Sequence, residues 1–146
     1  YLRGRSDALT KAEKQGYQLF KAYGCATCHQ GVNAGGNMFQ KFGIVPTDGP
    51  PRDRDADDPG RLAITGRARD QGVFRVPSLR NVGVTGPYYH DGRIETLAGA
   101  VDLMARRQLG KVLVSKEVDL IVQFLHTLTG TYQGKWLMRA KEDTSS

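Results

Sequence analysis

The sequence predicts an all-α domain with about three main helices and long irregular loops. Three segments, near residues 11–23, 97–109 and 115–129, repeat apolar residues at the three- and four-residue spacing of a helix face. Residues 30–95 hold 11 of the 18 glycines and all six prolines, with little helical periodicity. Just before them, Gly24-Cys25-Ala26-Thr27-Cys28-His29 contains the C-x-x-C-H pattern of covalent c-type haem attachment. A haem would give the long loops a flat apolar surface to pack on.

The first helix is predicted from about Lys11 to Tyr23. Thr10 and Glu13 have the spacing of a capping box, in which each side chain accepts a backbone N–H of the other residue. Gly16 allows another helix to approach closely. The apolar face consists of Gly16, Leu19, Phe20 and Tyr23.

Two further helices are predicted after residue 95. Thr96 can cap the first of them, and Gly110 can end it in the left-handed conformation. Its apolar face consists of Leu97, Ala100, Val101 and Met104. Ser115 is predicted to cap the second, with Gly130 past its end. Its apolar face consists of Val118, Ile121, Val122 and Leu125.

The two cysteines have three possible roles. Two thiols three positions apart can form thioethers with the haem vinyl groups, and the adjacent His29 is then aimed at the iron as proximal ligand. A redox-active disulfide is an alternative, but it would belong to an alternating βα pattern that the chain lacks. A zinc site is a second alternative, for which only the widely separated His90 and His126 remain as histidine ligands. His126 is predicted to be a surface residue.

Composition limits the class of protein. The 146 residues favour one domain. Roughly 47% of them are apolar when glycine is counted and tyrosine is not, which excludes disorder of the whole chain. No run of 18 apolar residues exists, so we expect a soluble domain without a membrane span. The first residue is Tyr1 and no secretory signal is visible, so we expect an already trimmed N-terminus.

The net charge of +6 is uneven along the chain. Residues 61–111 hold nine basic and four acidic residues. These basic residues are dispersed, which argues against nucleic-acid binding and favours an acidic partner or an anionic cofactor. Residues 50–60 are charged and interrupted by prolines, which predicts a solvated surface loop, with an acidic metal-binding loop as the alternative.

Several motifs, taken in order along the chain, resemble one known family. They are Cys25 to Gly31, Phe74-Arg75-Val76-Pro77-Ser78-Leu79-Arg80-Asn81-Val82, Thr85-Gly86-Pro87-Tyr88-Tyr89-His90-Asp91-Gly92, Met104, and Gln108-Leu109-Gly110. Together they resemble the C-terminal, electron-accepting domain of the bacterial di-haem cytochrome c peroxidases and their methylamine-utilisation (MauG-like) relatives. The resemblance implies a cytochrome c-like haem domain over residues 10–130, preceded by an N-terminal extension (1–9) and followed by a C-terminal tail (131–146). The second C-x-x-C-H of those enzymes is not found in this sequence.

The resemblance also implies the iron ligands, with one covalent haem c held between His29 and Met104. The position of Met104 on the apolar face of its helix agrees with this assignment, and a plain core role is the alternative. Met38 and Met138 are the other candidate methionines.

Further site residues are expected around the haem. Arg75, Arg80 and Arg93 are candidates to pair with a haem propionate, because buried carboxylates need a charged or hydrogen-bonding partner, and a solvated arginine is the alternative for each. The resemblance places His90 near the haem and the domain interface, with a turn histidine as the alternative. It also places calcium-binding backbone carbonyls on Thr85 and Pro87, although the other ligands would come from a domain that this sequence lacks.

The predicted function is electron transfer through a single His/Met-ligated haem to or from another redox protein, such as a small cytochrome, a cupredoxin or a haem enzyme with an acidic docking face. The alternative is the electron-accepting half of a di-haem peroxidase-like enzyme, as a subunit or fragment. A haem sensor that switches its methionine ligand is a third possibility that nothing in the sequence favours. Because c-type haems are attached outside the bacterial cytoplasm, the resemblance implies the periplasm.

Overall fold

The computed structural model of the chain describes residue 1, residues 4–45 and residues 58–138. Three long helices build the core of this part, and the predicted all-α class is confirmed. The helices are α1 (Lys11–Ala22), the short α2 (Leu62–Thr65), α3 (Leu97–Leu109) and α4 (Ser115–His126). No helix in the described part of the chain is long and apolar enough to cross a membrane.

Helix α1 begins at the predicted capping box. The backbone N–H of Glu13 donates to Thr10 Oγ1 at 3.3 Å, and that of Thr10 donates to Glu13 Oε2 at 2.7 Å. The helix ends at Ala22, one residue before the predicted end. Gly24 follows in the left-handed region at φ 88°, which turns the chain into the cysteine motif.

Helix α1 crosses α4 at a glycine. A Cβ on the buried Gly16 would lie 1.9 Å from the backbone oxygen of Leu120. The two helices are therefore in backbone contact, as the sequence predicts for a glycine on this face. The core beside the crossing contains Phe20, Leu79, Leu97, Ala105, Leu113, Val118, Ile121, Phe124 and Leu125.

The predicted ends of α3 are confirmed, but the predicted cap of α4 is wrong. Thr96 Oγ1 accepts from Gly99 N at 3.1 Å, and Gly110 closes α3 at φ 63°. Ser115 is already the first helical residue of α4, and Val114 is the N-cap. The Val114 N–H donates to Glu117 Oε2 at 3.1 Å, so α4 has the glutamate contact of a capping box without a capping hydroxyl.

Two small antiparallel strand pairs were not predicted. Strand β1 (Phe39–Lys41) pairs with β2 (Val73–Arg75), and Gln40 lies opposite Phe74. Strands β3 (Thr131–Tyr132) and β4 (Lys135–Trp136) form a hairpin in the predicted tail. Residues 50–57 of the charged loop and residues 139–146 of the tail lie outside the described part. The domain boundaries stay a prediction.

A tyrosine–glutamate bond joins α1 and α4 and gives a testable pH dependence. Tyr23 Oη donates to Glu117 Oε1 at 2.5 Å. This bond is the main cause that lowers the pKa of Glu117, and it raises the pKa of Tyr23. Because the folded-state pKa of the carboxyl is lowered, its stabilisation is full above the ordinary glutamate pKa and is lost as the pH falls through the folded-state pKa.

We therefore expect Tyr23→Phe to be less stable than the parent protein at about pH 7, and we expect this difference to shrink as the pH falls below the ordinary glutamate pKa of about 4.3. Urea unfolding at neutral pH and at a series of acidic pH values measures the difference. Tyr132→Phe is the control, because Tyr132 is 67% exposed and its change should be neutral at every pH. If Tyr23→Phe and the parent protein differed as much in stability in acid as at neutral pH, the bond to the Glu117 carboxylate would not be the source of the difference.

Candidate haem site

The long helices and the loops of residues 74–90 surround an apolar cavity of about 560 Å³. Its walls are mostly aliphatic and aromatic side chains. The apolar lining includes Phe20, Phe42, Phe74, Leu79, Val82, Leu97, Ala100, Val101, Ala105, Leu109, Leu113, Ile121 and Leu125. A cavity of this size and character is typical of a site for a large apolar ligand.

One wall of the cavity is a face of α3. Leu97, Val101 and Met104 line it together, as the helical spacing predicts. The other two methionines do not line it: Met38 is half-buried, and Met138 is 80% exposed. Among the described methionines, Met104 alone can present a sulfur ligand to the cavity.

The cysteine motif forms the first turn of the chain after α1. Cys25 to Thr27 form a single 3₁₀ turn, and both cysteines are free thiols. Cys25 lines the cavity, whereas Cys28 is half-buried without lining it. Burial raises the pKa of the Cys25 thiol to about 11. A redox-active C-x-x-C motif needs a lowered thiol pKa, so this geometry argues against the disulfide alternative.

His29 also lines the cavity, and a backbone carbonyl fixes its orientation. Its Nδ1–H donates to the oxygen of Pro77 at 3.2 Å. A carbonyl only accepts, so this contact keeps the proton on Nδ1 and leaves the Nε2 lone pair for a metal. Desolvation by burial lowers the pKa of His29, which favours the neutral imidazole that ligation requires.

Two predicted propionate partners donate to backbone carbonyls of the loop after His29, and their pairing with a propionate stays a prediction. Arg75 donates from Nε and Nη2 to the oxygen of Gly36 at 2.8 and 2.6 Å. Arg80 donates in the same way to the oxygen of Val32 at 3.0 and 2.8 Å. Of these two arginines only Arg75 lines the cavity. The sequence could not show these contacts, because the partners are 39 and 48 residues apart.

The third arginine lies behind aromatic side chains of the cavity wall. The Arg93 guanidinium carbon is 5.4 Å from the ring centre of Tyr89 and 5.9 Å from that of Phe42, and both rings line the cavity. Its Nε is 3.7 Å from Asp91 Oδ2. Arg93 itself is not a lining residue.

His90 lines the cavity at its edge and binds an aspartate that sequence reasoning missed. Its Nε2 is 2.5 Å from Asp58 Oδ2, and its ring stacks on Phe74 with centroids 4.5 Å apart. The N–H of Gly60, at 2.8 Å from Oδ1, is the main cause that lowers the pKa of Asp58, with a further contribution from His90. His90 is thus both a turn residue and part of the cavity wall.

Thr85 and Pro87 line the cavity as well. Within residues 4–45 and 58–138, no group of three or more His, Cys, Asp or Glu side chains could hold a metal ion. The zinc alternative therefore has no ligand set in the described part, and calcium on Thr85 and Pro87 stays a prediction. His126 is exposed on α4, as predicted.

The residues present fit a covalently attached haem. A thiol, an imidazole with its Nε2 available and a thioether sulfur line one apolar cavity. Cys25, Cys28, His29 and Met104 are the side chains that would hold the group.

Comparison with known proteins places this site in context. The chain is 48% identical over 132 residues to the cytochrome c peroxidase Ccp of Escherichia coli strain K12, covering 90% of this chain and 28% of that protein. It is 44% identical over 130 residues to the cytochrome c551 peroxidase of Nitrosomonas europaea, covering 89% of this chain and 38% of that protein. The chain thus spans well under half the length of these curated relatives. No family model matches it.

A solved structure shows the same fold. It is the crystal structure of a MauG-like protein associated with microbial copper homeostasis, 29% identical to this chain, with a TM-score of 0.67. The match covers 82% of this chain and 47% of that one.

Proposed function

The chain belongs to the family of bacterial cytochrome c peroxidases and MauG-like proteins, and on this basis we propose that it is a single-haem c-type cytochrome domain that transfers electrons. The observation that carries the proposal is that Cys25, His29 and Met104 line one apolar cavity. When bound there, a haem would supply a one-electron ferric/ferrous couple.

Each residue has a part in this proposal. Cys25 and Cys28 would attach the group through thioethers, and His29 and Met104 would ligate its iron. With both ligands supplied by the protein, the iron would have no open site for peroxide. The apolar walls would exclude water, and burial together with a methionine ligand raises a haem reduction potential. The function is then electron exchange without turnover of a substrate.

Replacing Met104 tests the assignment. We expect the ferrous parent protein not to bind carbon monoxide and Met104→Ala to bind it, because the substitution would remove one of the two proposed protein ligands of the iron. Spectroscopic titration with carbon monoxide measures this. Met38→Ala is the matched control, since Met38 does not line the cavity, and it should behave as the parent protein. Avid binding by the parent protein would contradict the proposal.

The proposed partner is another redox protein with an acidic docking face. Several basic side chains in the middle of the chain are exposed: Arg67, Arg69, Arg75, Arg80, Arg106 and Lys111. Opposite charges on two proteins speed their encounter, and salt screens this attraction.

We therefore expect the rate of electron transfer to an acidic small cytochrome or cupredoxin to fall as ionic strength rises. Stopped-flow mixing at a series of salt concentrations measures the rate constant. A partner with a neutral docking face is the control, for which the rate should change little. A flat response with the acidic partner would reject the charged docking face.

A second candidate function is favoured by the short span of the chain relative to its relatives. The chain covers 28% of the length of one peroxidase and 38% of another. In this second function it would act as the electron-accepting part of a larger peroxidase-like enzyme. The chain alone should then be inactive toward hydrogen peroxide and should support activity when its partner haem protein is added. Sedimentation without association between the two would contradict this function. In either case we propose a periplasmic location, as for c-type haem attachment in bacteria.

A further inference from the structure

Gly35 occupies a position beside His29 where a side chain has no room. It is buried, and its φ of 127° is one that residues with a side chain rarely adopt. A Cβ built there would lie 2.1 Å from the oxygen of Pro77 and 3.3 Å from Nδ1 of His29. Gly35 therefore lies against both partners of the hydrogen bond that orients the imidazole.

The surrounding backbone holds Gly35 and Pro77 together. The N–H of Gly36 donates to the oxygen of Val76 at 2.8 Å, and the N–H of Leu79 donates to the oxygen of Ala34 at 3.1 Å. The two-nitrogen contact of Arg75 with the oxygen of Gly36 adds a third tie. Because the segments are bonded on both sides of the contact, the Pro77 carbonyl cannot move away from an added methyl group without breaking these bonds.

We propose that Gly35 is a positioning residue for the proximal histidine. By having no side chain, it lets the Pro77 carbonyl reach Nδ1–H of His29. That hydrogen bond makes Nε2 a stronger donor, and a stronger donor stabilises ferric iron and lowers the reduction potential. This proposal rests on the proposed function, in which His29 ligates the haem iron.

The test compares two neighbouring glycines. Gly36 also has a positive φ, of 82°, but a Cβ there would meet no atom within 4 Å. Gly35→Ala and Gly36→Ala thus both place a side chain at a positive φ, and only the first brings a methyl group against the Pro77–His29 contact. Spectroelectrochemical titration would give the midpoint potential of both haem-loaded variants and of the parent protein.

We expect the midpoint potential of Gly35→Ala to shift to more positive values than those of Gly36→Ala and the parent protein. Equal potentials in the two variants, or a negative shift in Gly35→Ala alone, would overturn the proposal. If Gly35→Ala does not accumulate with haem, Ser78→Ala decides, because the Ser78 hydroxyl donates to the oxygen of Asn33 at 2.7 Å and so ties the same two segments without carrying a charge. It should give a smaller positive shift, and an unchanged potential would overturn the proposal.

A separate variant tests the premise. His29→Ala should lose the six-coordinate optical spectrum of the parent protein. A six-coordinate spectrum retained in His29→Ala would overturn the proposed function, whatever the potentials of the glycine variants are.

Discussion

Gly16→Ala is expected to lower the free energy of unfolding of the haem-loaded protein by about 2–4 kcal/mol, the upper range for overpacking a core. The new methyl group would lie 1.9 Å from the oxygen and 2.6 Å from the carbon of Leu120, and both are backbone atoms that no rotamer change can move. Helices α1 and α4 must separate, which opens gaps beside Phe20 and Phe124. The gain in helix propensity from glycine to alanine, about 1 kcal/mol, offsets only part of this cost.

Denaturant unfolding at neutral pH measures the effect. The matched control is Gly99→Ala in α3, where an added Cβ would meet only side-chain atoms, 3.1 Å from Thr96 Oγ1 and 3.2 Å from Ile94 Cγ2. These atoms can shift by a few tenths of an ångström, so the control should change stability by less than about 1 kcal/mol. Equal effects of the two substitutions would show that the helix crossing tolerates a side chain.

The sequence predicted those elements whose signals are local. The Thr10–Glu13 capping box, the Thr96 cap and Gly110 lie within a few residues of the bonds they make, and each is found at its predicted place. The position of Met104 toward the cavity follows from the same local periodicity. Helix α4 begins one residue earlier than predicted, with Glu117 three residues after the N-cap Val114 and accepting its N–H.

The contacts that shape the site are not local, and a single sequence holds no signal for them. The carbonyl that orients His29 belongs to Pro77, 48 residues later, and the aspartate that binds His90 is 32 residues before it. Two of the arginines expected near a propionate also bind backbone carbonyls of the loop after His29, 39 and 48 residues away. The adjacent glycines 35 and 36 indicate a turn with positive φ. Nothing in the sequence indicates that Gly35 contacts Pro77.

A chain that cannot attach haem is expected to lose its cooperative fold. Among the residues that the structure describes, no side chain fills the cavity of about 560 Å³ that the helices surround. An empty apolar cavity costs about 24 cal/mol per Å³, so a void of even a fraction of this volume would remove a large part of the stability of most domains. Without the haem, the walls must therefore collapse, and the packing of α3 against α4 is lost.

The double variant Cys25→Ala/Cys28→Ala tests this expectation. Its circular dichroism should keep helical signal in the far ultraviolet while losing fine structure in the near ultraviolet, and its thermal transition should broaden or disappear. Cys28→Ala alone is the control, because one thioether through the cavity-lining Cys25 still keeps the haem in place. A haem-free double variant that unfolded as sharply as the parent protein, and at the same temperature, would show that the helices are held together by their own contacts. The haem would then add to a core that is already stable, whereas we expect the apolar walls of the cavity to pack only around it.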